Sequence, residues 1–191
     1  KISSALTIND SGTRLPSLVR IPAVRKVFES NGYAMAFKKN DCIILPVVYQ
    51  NIYKGALGEV AGRAILEDKG IKLEEITDAT KFEKFDFCLA KDGDIYIDFK
   101  NWSENDQVDR EDYRKKCLSK LEKIGGKMVF IINVAANNFQ IHRSYGGRII
   151  EISSLCKKKG QAEMDYLYEL DPSDMNKVVN LLLGAGNGGE M

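Results

Sequence analysis

Asp98 and Lys100 stand two residues apart in the run IYIDFKNW (95–102), and Asp86 lies in a preceding apolar run, FDFCLA (85–90). Side chains two apart on a strand leave the same face about 6.5–7 Å apart, so strand geometry would set the acid beside the ammonium. Lys91-Asp92-Gly93 between the runs is a turn signal, which makes Phe85–Ala90 and Asp94–Lys100 a hairpin. A two-residue Asp92-Gly93 turn would pair Asp86 with Phe99 and mix acids with aromatics on both faces. A three-residue loop with Gly93 left-handed pairs Asp86 with Asp98, Cys88 with Tyr96 and Ala90 with Asp94. The second register is preferred: it gathers Phe85, Phe87, Leu89, Ile95, Ile97 and Phe99 on one face and Asp86, Asp98 and Lys100 on the other.

Two carboxylates facing each other raise one pKa or call for a cation between them. Hard oxygen donors with few protein contacts suit Mg²⁺, which keeps several waters and completes its shell with substrate phosphate; Mn²⁺ is the near substitute. The Phe99 carbonyl, between acid and lysine, is a further donor. Lys100 then stands beside the metal's water shell, where it stabilises charge at phosphorus or helps deprotonate water, and the chemistry is phosphodiester hydrolysis. Glu59, on the preceding helix, is placed to ligate the same ion directly or through water. Two plainer readings stay open, a surface Asp98–Lys100 ion pair and a solvated Glu59 paired with Arg63.

These residues need elements to hold them. Asn51–Lys69 reads as an amphipathic helix with Tyr53, Leu57, Val60, Ala64 and Ile65 on its inner stripe, ended by Gly70. Gly55, Gly58 and Gly62 within it imply close packing on another element. Val108–Gly125 is a second helix, with Tyr113, Cys117, Leu121 and Ile124 inward and Lys116, Lys120, Lys123 and Lys127 in a row beside them. That row is a solvated face or a phosphate track, and Lys116, Lys120 and Trp102 are the candidate nucleic-acid contacts. Met128–Val134 is apolar throughout, a strand covered on both faces. Strand, helix and buried strand make a crossover unit. Phe139–Arg143 and Arg148–Ser153 are further strands, and Asp174–Leu183 is a terminal helix capped near Ser173. Upstream, Ile21–Ser30 reads as a short helix, with Tyr33–Phe37 and Cys42–Tyr49 as a hairpin-like pair.

The whole is an α/β chain of 191 residues: an N-terminal extension (1–50), a core with its C-terminal helix (51–183) and a flexible tail (184–191). With 28 Lys and Arg against 27 Asp and Glu, net charge is only +1 and neither demands nor excludes nucleic acid. Cys42, Cys88, Cys117 and Cys156 form no CxxC pair, which argues against a zinc knuckle and for free thiols in a reducing compartment. No apolar run approaches the roughly 18 residues of a membrane span. A cytoplasmic protein without membrane contact is the expectation. The chain begins at Lys1, as expected of a piece of a larger protein. No Gly-rich phosphate loop follows a strand, which weakens a small-molecule α/β enzyme.

The order Glu59 on a helix, Asp86 at a strand start, Asp98-Phe99-Lys100 after a hairpin, then helix and buried strand, resembles the PD-(D/E)xK nuclease superfamily over residues 51–153. The resemblance implies a restriction-endonuclease-like αβββαβ core with a mixed central sheet flanked by helices. It also implies a Mg²⁺-dependent endonuclease acting on DNA, with RNA as the other polymer. Such a domain serves restriction or defence, or is the nuclease module of a larger helicase-containing protein. Carried over, Asp86 and Asp98 are the metal-binding acids, Lys100 the catalytic lysine and Glu59 the additional acid. Phe85 replaces the name-giving proline, and Tyr113 and Lys116 stand without a QxxxY signature, so the subgroup stays open. The rival implied by the same fold is a silent nuclease-like module that binds nucleic acid or protein without cutting.

Overall fold

The computed structural model describes Lys26 and residues 46–78, 80–81, 84–103, 107–158 and 168–185. Apart from Lys26, which is helical, the expected helix at 21–30 lies outside the described residues, as do the strand at 33–37, residues 42–45 and the tail from 186, whereas Gly184, expected in the tail, ends a helix. Two compact units divide the chain, Lys1–Val60 and Ala61–Met191, and the division falls inside one helix, α1 (Pro46–Asp68).

That helix begins earlier than its sequence suggests. Residues 46–49, expected to be strand, are its first turn: VVY is β-prone, but proline at a first helical position has its φ already set and no amide to lose. Its end is as expected. Gly70, at φ +81°, donates to Glu67 O and Ile71 donates to Leu66 O, a Schellman stop that needs a left-handed residue. Within Ala61–Asp68 the buried positions are Gly62 and Leu66, whereas Ala64 of the expected stripe is exposed. Close approach rotates the helix this way: a Cβ on Gly62 would lie 2.3 Å from the Phe99 ring.

The second unit is built on a mixed six-stranded sheet, ordered β1-β2-β3-β4-β7-β6. Its strands are β1 (Leu73–Glu75), β2 (Phe87–Leu89), β3 (Asp92–Lys100), β4 (Met128–Asn133), β6 (Ile141–Ser144) and β7 (Ile149–Ile152). Helix α2 (Arg110–Lys123) connects parallel β3 and β4; Asp109 caps it by accepting from Asp112 N at 2.9 Å. A small sheet of β5 (Ala135–Ala136), β8 (Cys156–Lys158) and β9 (Tyr168–Leu170) follows the ends of β4 and β7. Helix α3 (Pro172–Gly184) closes the described chain, capped by Asp171 rather than near Ser173, because Pro172 takes the first helical position.

Both faces of β3 are covered. Ile95, Ile97 and Phe99 join Leu66, Phe130, Ile132, Ile150 and Val178 in the larger core. Tyr96 joins Phe85, Cys117, Leu121, Val129, Ile131 and Ile149 in the smaller one, beneath α2. Phe85 therefore belongs to the acid-bearing side, opposite to expectation; it precedes β2 and stacks on Tyr96 with ring centroids 5.2 Å apart.

The hairpin register holds at one end only. Phe87 pairs with Ile97 and Cys88 with Tyr96, as expected, but Leu89 then meets Asp92 across a bulge. The turn is Ala90-Lys91, and Gly93 lies within β3 without a positive φ. Asp92 anchors the bulge by accepting from Asp94 N at 3.1 Å and from Lys127 Nζ at 2.9 Å. Among the described residues no helix is long and apolar enough to cross a membrane.

Candidate functional site

Asp98, Phe99 and Lys100 are the last three residues of β3, paired in parallel with Ile131, Ile132 and Asn133 of β4. The strand ends are clasped by Asn133, only 1% exposed. Its Oδ1 accepts from Trp102 N at 2.8 Å, and its Nδ2 donates to the carbonyls of Trp102, Ala135 and Ser153 at 3.1–3.2 Å. Val134 N donates to Lys100 O at 2.8 Å. The Lys100 backbone is fixed by these bonds while its side chain turns back on its own strand.

Asp86, just before β2, is tied to the same place. Its amide donates to Ile97 O at 3.1 Å and its Oδ2 accepts from Phe99 N at 2.6 Å, so the carboxylate continues the ladder where the strand has ended. Asp98 is 3% exposed. Its Oδ1 accepts from Lys100 Nζ at 2.8 Å and its Oδ2 from the Tyr113 hydroxyl at 2.6 Å. Lys100 Nζ also donates to Phe99 O at 2.7 Å and lies 5.6 Å from the centre of the Tyr113 ring.

Two elements thus converge on one carboxylate: the strand brings the lysine, and α2 brings the tyrosine. Burial alone would lower the Lys100 pKa, but the Asp98 and Asp86 carboxylates outweigh it and hold the ammonium above the ordinary lysine value. Burial, reinforced by Asp98, lifts Tyr113 well above the usual phenol range and keeps it a donor. Cys117, with Sγ 3.9 Å from Asp98 Oδ2, is pushed up to about 12 by burial and then by the same carboxylate.

Asp86, Asp98, Phe99 and Lys100 come together in the second unit. Glu59 is half-buried on α1 and belongs to the first unit, so the cluster described here is built without it. Trp102 packs in the smaller core; the Arg110 guanidinium lies 3.9 Å from its ring centre, and Tyr113 meets it edge-on at 5.0 Å. Lys116 is exposed and paired with Asp112 at 2.6 Å, and Lys120 lies over the Phe85 ring at 6.0 Å.

The Tyr113 contact, the Asn133 clasp and Glu151 were not expected from the sequence. Each left a trace: Tyr113 heads the inner stripe of its helix, and Asn133 and Glu151 are lone polar residues inside MVFIINV and IIEI. Glu151 of β7 lies on the acid face through Ile131, with Arg114 Nη1 at 2.6 Å and Arg110 Nη1 at 3.5 Å.

No protein-family model matches this chain, and no curated protein sequence is similar to it. Among the described residues no group of three or more His, Cys, Asp and Glu is placed to hold a metal ion. The donors at hand are two carboxylates and a carbonyl. That set fits a hydrated Mg²⁺ rather than a cage of protein ligands, and a cation, the Lys100 ammonium, already lies against Asp98 Oδ1 and Phe99 O.

Proposed function

We propose that this chain is a Mg²⁺-dependent nuclease that hydrolyses phosphodiester bonds, with DNA as its substrate, built on a PD-(D/E)xK restriction-endonuclease-like core. One observation carries the reading: Asp86 is bonded to the amide of Phe99, between Asp98 and Lys100, which joins two acids and an ammonium at one strand end. A strand, the α2 crossover and a buried parallel strand support it, in the order that the resemblance implies.

Asp98 and Asp86, with the Phe99 carbonyl, would hold the ion. Bound Mg²⁺ supplies positive charge to the phosphate and lowers the pKa of a coordinated water. Lys100 offers N–H donors to the charge that develops at phosphorus. Tyr113 keeps the Asp98 carboxylate in one orientation.

A second reading, a nuclease-like module that binds without cutting, has its own observation. Asp98 is buried and both its oxygens already accept hydrogen bonds, and buried pairs of this kind can be purely structural. Supercoiled plasmid incubated with the protein separates the two. The nuclease reading expects nicking or linearisation with Mg²⁺ or Mn²⁺ that EDTA and Asp98→Asn each abolish; cutting that survives in Asp98→Asn contradicts it.

A further inference from the structure

The two oxygens of Asp98 are divided between different donors on different elements. Oδ2 accepts from the Tyr113 hydroxyl, which α2 delivers from above the sheet, and Oδ1 accepts from Lys100 Nζ at the open end of β3. Tyr113 is held in turn by the edge-on packing of Trp102, whose ring also carries the Arg110 guanidinium. The phenol is thus a fixed donor, whereas Lys100 has four rotatable bonds and 20% of its side chain exposed. The hydrogen bonds of Lys100 Nζ, to Asp98 and to Phe99 O, stay on its own strand, and other elements reach it only through the Tyr113 ring at 5.6 Å and the charge of Asp86.

We propose that Tyr113 is a positioning residue that turns Asp98 so that one oxygen, Oδ1, faces a cation seat shared with Phe99 O, and that the Lys100 ammonium fills this seat until a divalent ion displaces it. The inference rests on the metal reading of Asp98 and deepens it. An ammonium and a hydrated divalent ion seek the same oxygens, and both cannot lie within bonding distance of Oδ1 and the carbonyl at once. Ion entry therefore releases Lys100 from Asp98 while Tyr113 stays. The displaced ammonium remains tethered two residues from the ion, where substrate phosphate would arrive.

Mg²⁺ titrated into lysine-labelled protein, with the Lys100 ¹³Cε and ¹⁵Nζ resonances followed by NMR, tests this without any cleavage. The expected result is saturable binding that Asp98→Asn removes, with the Lys100 resonances moving at the same midpoint and those of Lys116 unmoved. Tyr113→Phe, which keeps the ring against Trp102, is expected to weaken Mg²⁺ binding about tenfold, as for loss of a group that orients a ligand. Asp98-dependent binding that leaves the Lys100 resonances in place, or that is equally tight in Tyr113→Phe, overturns the inference alone. Absence of Asp98-dependent binding overturns the metal reading together with it. The lysine signal is read in the wild-type protein, so the test holds even where the phenylalanine variant is less stable.

Discussion

Asp98 and Glu151 are buried carboxylates on one face of one sheet, both in register with Ile131, yet they are served by different chemistry. Glu151 is met by two arginines from α2, Arg114 at 2.6 Å and Arg110 at 3.5 Å, groups that keep their charge at any ordinary pH. Asp98 is met by a lysine from its own strand and a phenol from α2, with a second acid, Asp86, one backbone amide away. Arginine pairing fastens α2 to β7 and leaves little to change. A lysine on a flexible stem, shared between a carboxylate and a carbonyl, leaves a place that another cation can take. Similar burial therefore lets one cluster hold the helix down, and leaves the other with the composition on which the proposed chemistry rests.

Removing the arginine tests the first half of this contrast. Arg114→Ala leaves the buried Glu151 with Arg110 alone, at 3.5 Å, and is expected to cost about 3 kcal/mol, the lower end for a broken buried pair, read as a lower denaturant midpoint, with the specific activity of the folded fraction retained. Equal stability would place Glu151 outside the framework. A steric change on the opposite face of β3 comes next. Gly62→Ala would drive a Cβ to 2.3 Å from the Phe99 ring; overpacking costs about 1–3 kcal/mol against a helix-propensity gain of about 1 kcal/mol. The expected outcome is a modest fall in stability, and a rise would show that Phe99 can yield.

How far these clusters were legible in the sequence depends on length and on side. The Cys88–Tyr96 register was readable because both sit in alternating runs long enough to carry a period, and the Met128–Asn133 strand because it is apolar throughout; Asp86, ahead of β2, is tied instead to Ile97 and Phe99. The turn was misplaced because Asp92-Gly93 is a strong local turn signal; the bulge, anchored by Asp92 to Asp94 and Lys127, overrides it. Strands of two or three residues, such as β1, β5 and β9, are too short to show any period. The stripe of α1 was partly legible: Ile65 packs against the larger core as expected, but the buried positions are Leu66 and Gly62, and a glycine that meets Phe99 is one hydrophobic patterning cannot count. Tyr113 was placed on the correct side of its helix, but an inward tyrosine reads as packing until the carboxylate beneath its hydroxyl is known.

The smallest effect concerns pH. Lys100 is raised above the ordinary lysine value, so its contribution is fully present below that value and is lost as pH rises through the higher folded one. Alkaline titration is therefore expected to loosen the Asp98 cluster before the arginine-held Glu151 cluster. Amide exchange measured in β3 and β7 across that range checks the order, and loss at β7 first would reverse it.

The central claim, that the Asp98 cluster does chemistry, is tested most directly by incubating plasmid, linear duplex, single-stranded DNA and RNA with Mg²⁺, Mn²⁺ or EDTA, and comparing wild type with Lys100→Ala. The account predicts metal-dependent cutting of DNA that falls by about 10²–10³-fold in the variant. No cutting with either metal, or equal cutting by Lys100→Ala, would contradict it.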